Sequence, residues 1–512
     1  MSKQVIATLV LIPFLLFYGL FFSCVQAAGE KEGRSWQDEA IYFMMVDRFN
    51  NGDSKNDKDV NTTDLQAYNG GDLKGITKRL DYIQDMGFTA ILLTPVVDNE
   101  EDGYHGYWTK DFYKVEEHFG SMADMKELVK EAHKRDMKVI LDFVAGYTGS
   151  KNPWLFDKQK QGWYQQEQGE NEQIQIIEES PLAGLPHLNF ENEEVRKFLI
   201  NNAKWWVRQT DIDGFRLEDM QSVPKDFWGE FVRGVKAVRQ DFFFIGDVSA
   251  VEASSVAEYQ NMGIDSFLNI SSYKNMTKVF SQTGQSPNEL YKDWKSDQVV
   301  YPNPYLLGNF LDNQNTKRFT RVALEEKQYP PTRLRLALAY LFTSPGIPIM
   351  YYGTEIALDG GDPPDNRRLM DFKTDADFLK YISKLGELRK QLPSLRRGTF
   401  EMVYDKGGMS VFKRTYQEET TIIALNNTKK TQKVHLTREQ LDTNKELHGL
   451  MEEDIIRPAK DGYYLVLDRE TANVYALAEK TGLNIPFISV LVGINVLFVI
   501  FLILVRRRRK KS

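Results

Sequence analysis

The chain has 512 residues, 42% hydrophobic and 27% charged, with a formal charge of −7 and a single cysteine. That composition excludes a disordered or collagen-like chain, and the length allows one large domain and a smaller one. An acidic balance gives no electrostatic footprint for nucleic acid, and the lone Cys24 excludes an intrachain disulfide and a thiolate zinc site.

Lys3, the apolar run 5–22 and the small-residue stretch 23–28 have the pattern of a secretory signal peptide over residues 1–28. An uncleaved anchor is the rival reading, and Cys24 is either lipidated or removed with the signal. From there to residue 394, short apolar runs alternate with amphipathic stretches. The runs 41–46, 90–94, 138–143, 212–217, 242–246, 266–269, 306–311 and 348–352 read as buried strands. Stretches 73–86, 122–135, 193–209, 225–239, 330–342 and 376–391 read as helices. Eight strand–helix units over 35–394 predict an α/β fold, a (β/α)8 TIM barrel, with a doubly wound open sheet as runner-up.

The polar, Gln/Glu-rich segment 146–188 interrupts the alternation as an excursion after the third strand. Its Trp154, Trp163 and Tyr164 line a glycan groove or pack the excursion on the barrel; both readings stay open. Residues 395–478 alternate in the manner of a small antiparallel β-domain. Residues 485–505 carry no charge and are long enough for a transmembrane helix; a basic tail, 506–512, follows. The positive-inside rule places that tail in the cytoplasm and the rest outside, a single-pass protein of the cell membrane.

Motifs recur in order along the chain: Asn69-Gly70-Gly71-Asp72, Tyr104-His105-Gly106-Tyr107, Leu141-Asp142-Phe143-Val144, Gly214-Phe215-Arg216-Leu217-Glu218, Ile245-Gly246-Asp247-Val248 and Asn309-Phe310-Leu311-Asp312-Asn313. Together they resemble the α-amylase family, glycoside hydrolase family 13, over residues 35–478. The resemblance implies the barrel, an inserted B domain at 146–188 and a C-terminal antiparallel β-sandwich. It implies retaining cleavage or transfer of α-glucosidic bonds by two facing carboxyls about 5–5.5 Å apart.

By position the nucleophile is Glu218, the acid/base Asp247 and the third carboxylate Asn315, where the family carries Asp, Glu and Asp. Family histidines that grip the sugar fall at Tyr147, Ser222 and Gln314; His105 remains. Tyr107, Arg216 and Asp142 match, which makes His105, Tyr107, Asp142, Tyr147, Arg216 and Gln314 the candidate substrate-binding set. The resemblance also implies calcium. The usual site between barrel and B domain is expected to be lost, because Gly146 and His187 stand where Asn and Asp belong. The loop Asn51, Asp53, Asn56 and Asp57, with Gly70 and Asp72, resembles a Ca²⁺ site of cyclodextrin-glycosyltransferase-like members.

The expectation is a membrane-tethered protein that binds or acts on α-glucans or maltooligosaccharides with hydrolysis lost or strongly reduced. The alternative is an active retaining hydrolase or transglycosylase, of α-amylase or neopullulanase type, using Glu218 and Asp247.

Overall fold

A computed structural model describes residues 33–165, 184–248, 253–373, 375–441, 445–479 and 485–509. The expected signal segment 1–28 lies outside these residues. Eight strands follow one another as β1 (Ile41–Met44), β2 (Ala90–Leu93), β3 (Lys138–Val144), β4 (Gly214–Glu218), β5 (Phe243–Gly246), β6 (Ser266–Phe267), β7 (Gly308–Phe310) and β8 (Ile347–Tyr351). All pair in parallel, in the order β6-β5-β4-β3-β2-β1-β8-β7. A parallel bridge from Leu268 to Gly308 joins β6 to β7 and closes the sheet into a barrel, which excludes the open-sheet alternative. Strands covered on both faces have no reason to alternate, so each reads as a continuous apolar run.

Helices between the strands bury apolar stripes on the barrel. Met122–Lys134 begins in a capping box made by Ser121 and Asp124. The expected helix 73–86 is two helices, Leu73–Lys78 and Leu80–Asp85, hinged at Arg79. Helices Ala253–Asn261, Ile270–Phe280 and Asn288–Val300 were not predicted, their apolar stripes being diluted by Ser, Asn and Lys.

In the excursion after β3, Trp154 stacks on Phe112, and Trp154 and Trp163 meet Phe198 of helix Glu193–Thr210 edge-on. The Lys160 ammonium lies 4.2 Å and 3.8 Å from the two indole centroids, so these tryptophans pack the excursion to the barrel rather than lining a groove. The C-terminal region is antiparallel: β9 (Glu401–Lys406), β10 (Met409–Tyr416), β11 (Glu419–Asn426), β12 (Gln432–Thr437), β13 (Lys445–Gly449), β14 (Ile455–Ile456), β15 (Gly462–Leu467) and β16 (Thr471–Glu479). Six form one sheet, β9-β10-β11-β16-β13-β14, and β12 pairs with β15; Val411, Ile422, Leu436 and Leu465 lie in one apolar core of this region.

The expected span 485–505 falls within a 25-residue helix, Ile485–Arg509. Among the described residues no helix is long and apolar enough to cross a membrane.

Candidate active site

The register of β3 and β4 sets Asp142 beside Arg216 and Val144 beside Glu218. Alternation along β4 then puts Gly214, Arg216 and Glu218 on the barrel-interior side and Phe215 and Leu217 on the helix side. β5 ends at Gly246, so Asp247 is the first residue past that strand. The strand ends therefore bring the predicted groups together at the face where barrel enzymes build their sites.

Arg216 is the hub. One guanidinium nitrogen contacts Asp142 and lies 2.5 Å from Glu218 Oε2, and the other donates to Asp247 Oδ2. Three carboxylates thus share one cation. Burial works against the charge of Arg216, but Asp142, Glu218 and Asp247 hold it well above the usual guanidinium range. Glu218 is 3% exposed. Burial pushes its carboxyl well above the ordinary value, and the charges of Asp142 and Asp247 add to the push while Arg216 opposes it. Burial likewise raises Asp142 to about 6. Asp247 is the more open of the pair, its side chain 14% exposed.

The remaining predicted residues surround this cluster. Tyr107 donates its hydroxyl to Asp142 at 2.8 Å and accepts from Gln314 Nε2 at 3.0 Å. Asn315 turns its amide nitrogen to Glu218 Oε1 at 3.4 Å, so the third-carboxylate position offers a donor where the family offers a charge. His105 accepts from the Tyr107 amide through Nδ1, and burial together with Arg367 and Arg48 keeps its ring neutral. Tyr147 is buried, bridged in β fashion to His187. Its hydroxyl, Asp142 Oδ1 and Gln314 Oε1 are buried without hydrogen-bond partners. Orphaned polar atoms converging on a carboxylate cluster suit a ligand rich in hydroxyls.

Two contributors escaped the sequence reading. Asp219, next to Glu218, has φ 45°, a left-handed conformation that a non-glycine residue rarely adopts. Burial pushes its carboxyl to about 6 and the charge of Asp247 adds to it. Arg367 donates to the Gln314 carbonyl at 3.0 Å and to Tyr104 Oη at 3.2 Å, which props the loop that carries Gln314 and Asn315. The charged run around Arg367 was the available signal; its distance along the chain from every site motif hid it.

The metal-ligand candidates divide. Asp57 accepts from the Asn51 amide at 2.9 Å and 2.8 Å. A side chain at Gly70, where φ is +89°, would come within 2.9 Å of Asn51 and 3.1 Å of Asp57, so glycine keeps that cradle open. Asn56 Oδ1 is buried without a partner. Asp72 instead spends its oxygens on the amides of Gly52, Asp53 and Gly75, and Asp53 pairs with Lys74. Asn51, Asn56 and Asp57 leave oxygen atoms around an open cradle, the donor type a hard cation takes, while Asp53 and Asp72 are committed to the loop itself; among the described residues no group of three or more His, Cys, Asp or Glu side chains is placed to hold a metal. At the other expected position a Cβ on Gly146 would meet Ser222 Oγ at 2.6 Å, so Ser222 occupies the space that a side chain there would need.

Comparison with known proteins gives this geometry a lineage. The model of the α-amylase catalytic domain matches residues 43–375, and that of an α-amylase C-terminal domain matches 398–475. A β/α-amylase of Paenibacillus polymyxa is 36% identical over 415 residues, 77% of this chain, which itself spans 34% of that protein's length. The crystal structure of an α-amylase from Geobacillus thermoleovorans complexed with acarbose is 53% identical, with a TM-score of 0.83, covering 88% of this chain and 100% of its own. An Anoxybacillus α-amylase is 57% identical, with a TM-score of 0.85 and the same coverage. A catalytic-domain match over well more than half of the length, on a closed barrel with its carboxylates at the strand ends, settles the relationship: the chain belongs to the α-amylase family.

Proposed function

We propose that the protein takes α-glucan chains into this cleft and processes them by a weakened retaining mechanism, with Glu218 as nucleophile and Asp247 as acid/base. The observation that carries this reading is the shared guanidinium. Glu218 and Asp247 each contact a terminal nitrogen of the same arginine, which holds the two carboxyls close together, as a retaining pair requires. The relatives named as amylases support a working enzyme as well.

In the first step Glu218 attacks the anomeric carbon while Asp247 protonates the departing glycosidic oxygen, leaving a glycosyl ester on Glu218. Water or a sugar hydroxyl then displaces it, with Asp247 taking the proton back. Three features slow this cycle. The longer Glu218 shifts the attacking oxygen, the shorter Asp247 is drawn to Arg216, and Asn315 places an amide where negative charge would stabilise the oxocarbenium-like transition state.

The amide of Asn315 and the Arg216–Asp247 contact favour a second reading, in which the cleft binds α-glucan without cleaving it. Incubation of the purified protein with maltoheptaose separates the two. Turnover that vanishes in Glu218→Gln and Asp247→Asn supports the enzyme. Calorimetric binding without turnover, lost in Tyr107→Ala, supports the binding module.

The proposal extends to the tether and the metal. The apolar helix with its basic tail would anchor the domain to a membrane, orienting the cleft outward. Calcium at the loop of Asn51, Asn56 and Asp57 would be structural, fastening that loop to the barrel. Membrane-fraction recovery of the intact chain and its loss on deleting residues 485–512 test the anchor. A calcium-dependent rise in melting temperature that is lost in Asp57→Asn tests the metal.

A further inference from the structure

Away from the active site, a cavity of about 20 Å³ lies between helices Ile270–Phe280, Asn288–Val300 and Pro330–Thr343 and the outer side of β7. Asp293 and Asp297, one turn apart on a single helix, stand at its rim. Among the described residues neither carboxylate has a cationic partner. Asn275 donates to one oxygen of Asp293 at 2.7 Å and Asn269 to one oxygen of Asp297 at 2.9 Å, which leaves the second oxygen of each free.

The floor supplies two more oxygens. Asn309, 6% exposed, commits its amide nitrogen to the Pro345 carbonyl at 2.7 Å and keeps Oδ1 buried without a partner. Ser344, 2% exposed, likewise has an unpartnered Oγ. Trp294 Nε1, also in the lining, is buried without a partner as well.

We propose that this cavity is a binding site for a small hard cation such as Ca²⁺, held by Asp293, Asp297, Asn309 and Ser344. The donor set argues for it. Four oxygens, two of them charged, line a space with room for one small ion, and second-layer amides hold both carboxylates in place. A cation would supply the charge that the two carboxylates lack; their carboxyls are raised by burial, Asp297 to about 6. A water ligand of the ion would accept the Trp294 N–H. Such an ion would fasten helix Asn288–Val300 to β7 and to Ser344, which directly follows helix Pro330–Thr343.

Terbium titration of the full chain tests the site, because Trp294 lies in the lining and sensitises emission from an ion bound there. Saturable tryptophan-sensitised emission is expected, with affinity about tenfold weaker in Asp297→Asn and in the more exposed Asp293→Asn. The intensity should drop in Trp294→Phe, and both readouts should be unchanged in Asp57→Asn. Emission that is indifferent to Asp293, Asp297 and Trp294, or that disappears in Asp57→Asn, would assign the ion to the other loop and overturn the proposal. No emission at all would leave a cavity that holds water, and overturns it equally.

Discussion

Two of the regions that bury arginines do so in opposite ways. At the strand ends Arg216 faces three carboxylates, so the site carries more negative charge than its cation neutralises. At the other end of the barrel Arg389 and Arg414 face only backbone carbonyls. Arg389 reaches Phe342, Leu395 and Gly346, and Arg414 reaches Thr399, Thr343 and Gly398, tying barrel helices to the C-terminal β region. Spread over dipoles, a buried cation is costly: burial, with like charge beside Arg389, lowers both arginines to about 9. The junction spends charge on geometry and does no chemistry. The strand-end cluster holds the carboxyls of Asp142 and Glu218 above their ordinary range, which is how proton-handling sites are built.

The largest expected effect sharpens that contrast. Restoring the family's residues in one protein, Glu218→Asp with Asp247→Glu and Asn315→Asp, should raise kcat on maltoheptaose by about 10³-fold or more. Repositioning the nucleophile is worth about 10²-fold, and restoring charge at the oxocarbenium adds a comparable factor. A restored triad that gains less than tenfold would mean the surrounding shell, Tyr147 and Gln314 above all, has moved too far to support the chemistry. Next in size is Arg216→Met. It leaves Asp142, Glu218 and Asp247 buried together without a cation, at a cost of about 3–5 kcal/mol in stability along with loss of turnover. Denaturant melts and kinetics on the same protein read both.

How much of this was legible in the sequence follows from what each feature depends on. The barrel strands read clearly because burial on both faces leaves an unbroken apolar run, as in 138–143 and 348–352. Helix Ile270–Phe280 did not, since its buried stripe sets a polar Ser272 beside Met276, Val279 and Phe280 and its start rests on a cap from Asn269. Site residues were found wherever they sit in strand-end motifs. Asp142, Arg216 and Glu218 needed only the register, whereas Arg367 reaches Gln314 by tertiary contact alone. The fate of Asp247 was also hidden: nothing in its spacing says that its carboxylate turns to Arg216. The role of Trp154 and Trp163 required Phe112, Phe198 and Lys160 in three dimensions.

At the junction the prediction separates stability from function. Arg414→Met removes hydrogen bonds to three carbonyls, each orphaned acceptor costing about 1–3 kcal/mol, partly offset by no longer burying a cation. A net loss of roughly 3 kcal/mol is expected, with the affinity for maltoheptaose unchanged. If glucan affinity fell in step with stability, the two regions would be energetically coupled and the contrast drawn between them would fail.

The smallest effect is a dependence on pH that the carboxylate cluster should produce and the arginine junction should not. Glu218 must be ionised to attack, and its carboxyl is held well above the ordinary range, so kcat/KM should climb with pH along an acid limb placed higher than a free glutamate would give. Stability moves the other way. Asp142 titrates near 6 when folded and near its ordinary 3.8 when unfolded, so the native state keeps a proton that the unfolded chain releases. Its contribution is therefore fully present below pH 3.8 and is lost as the pH rises through 6. Melts of the wild type and Asp142→Asn between pH 4 and 7 should diverge in that sense, the variant losing less stability as the pH rises. Equal slopes would mean that Arg216 keeps Asp142 ionised throughout, and that the cluster is as electrostatically quiet as the junction.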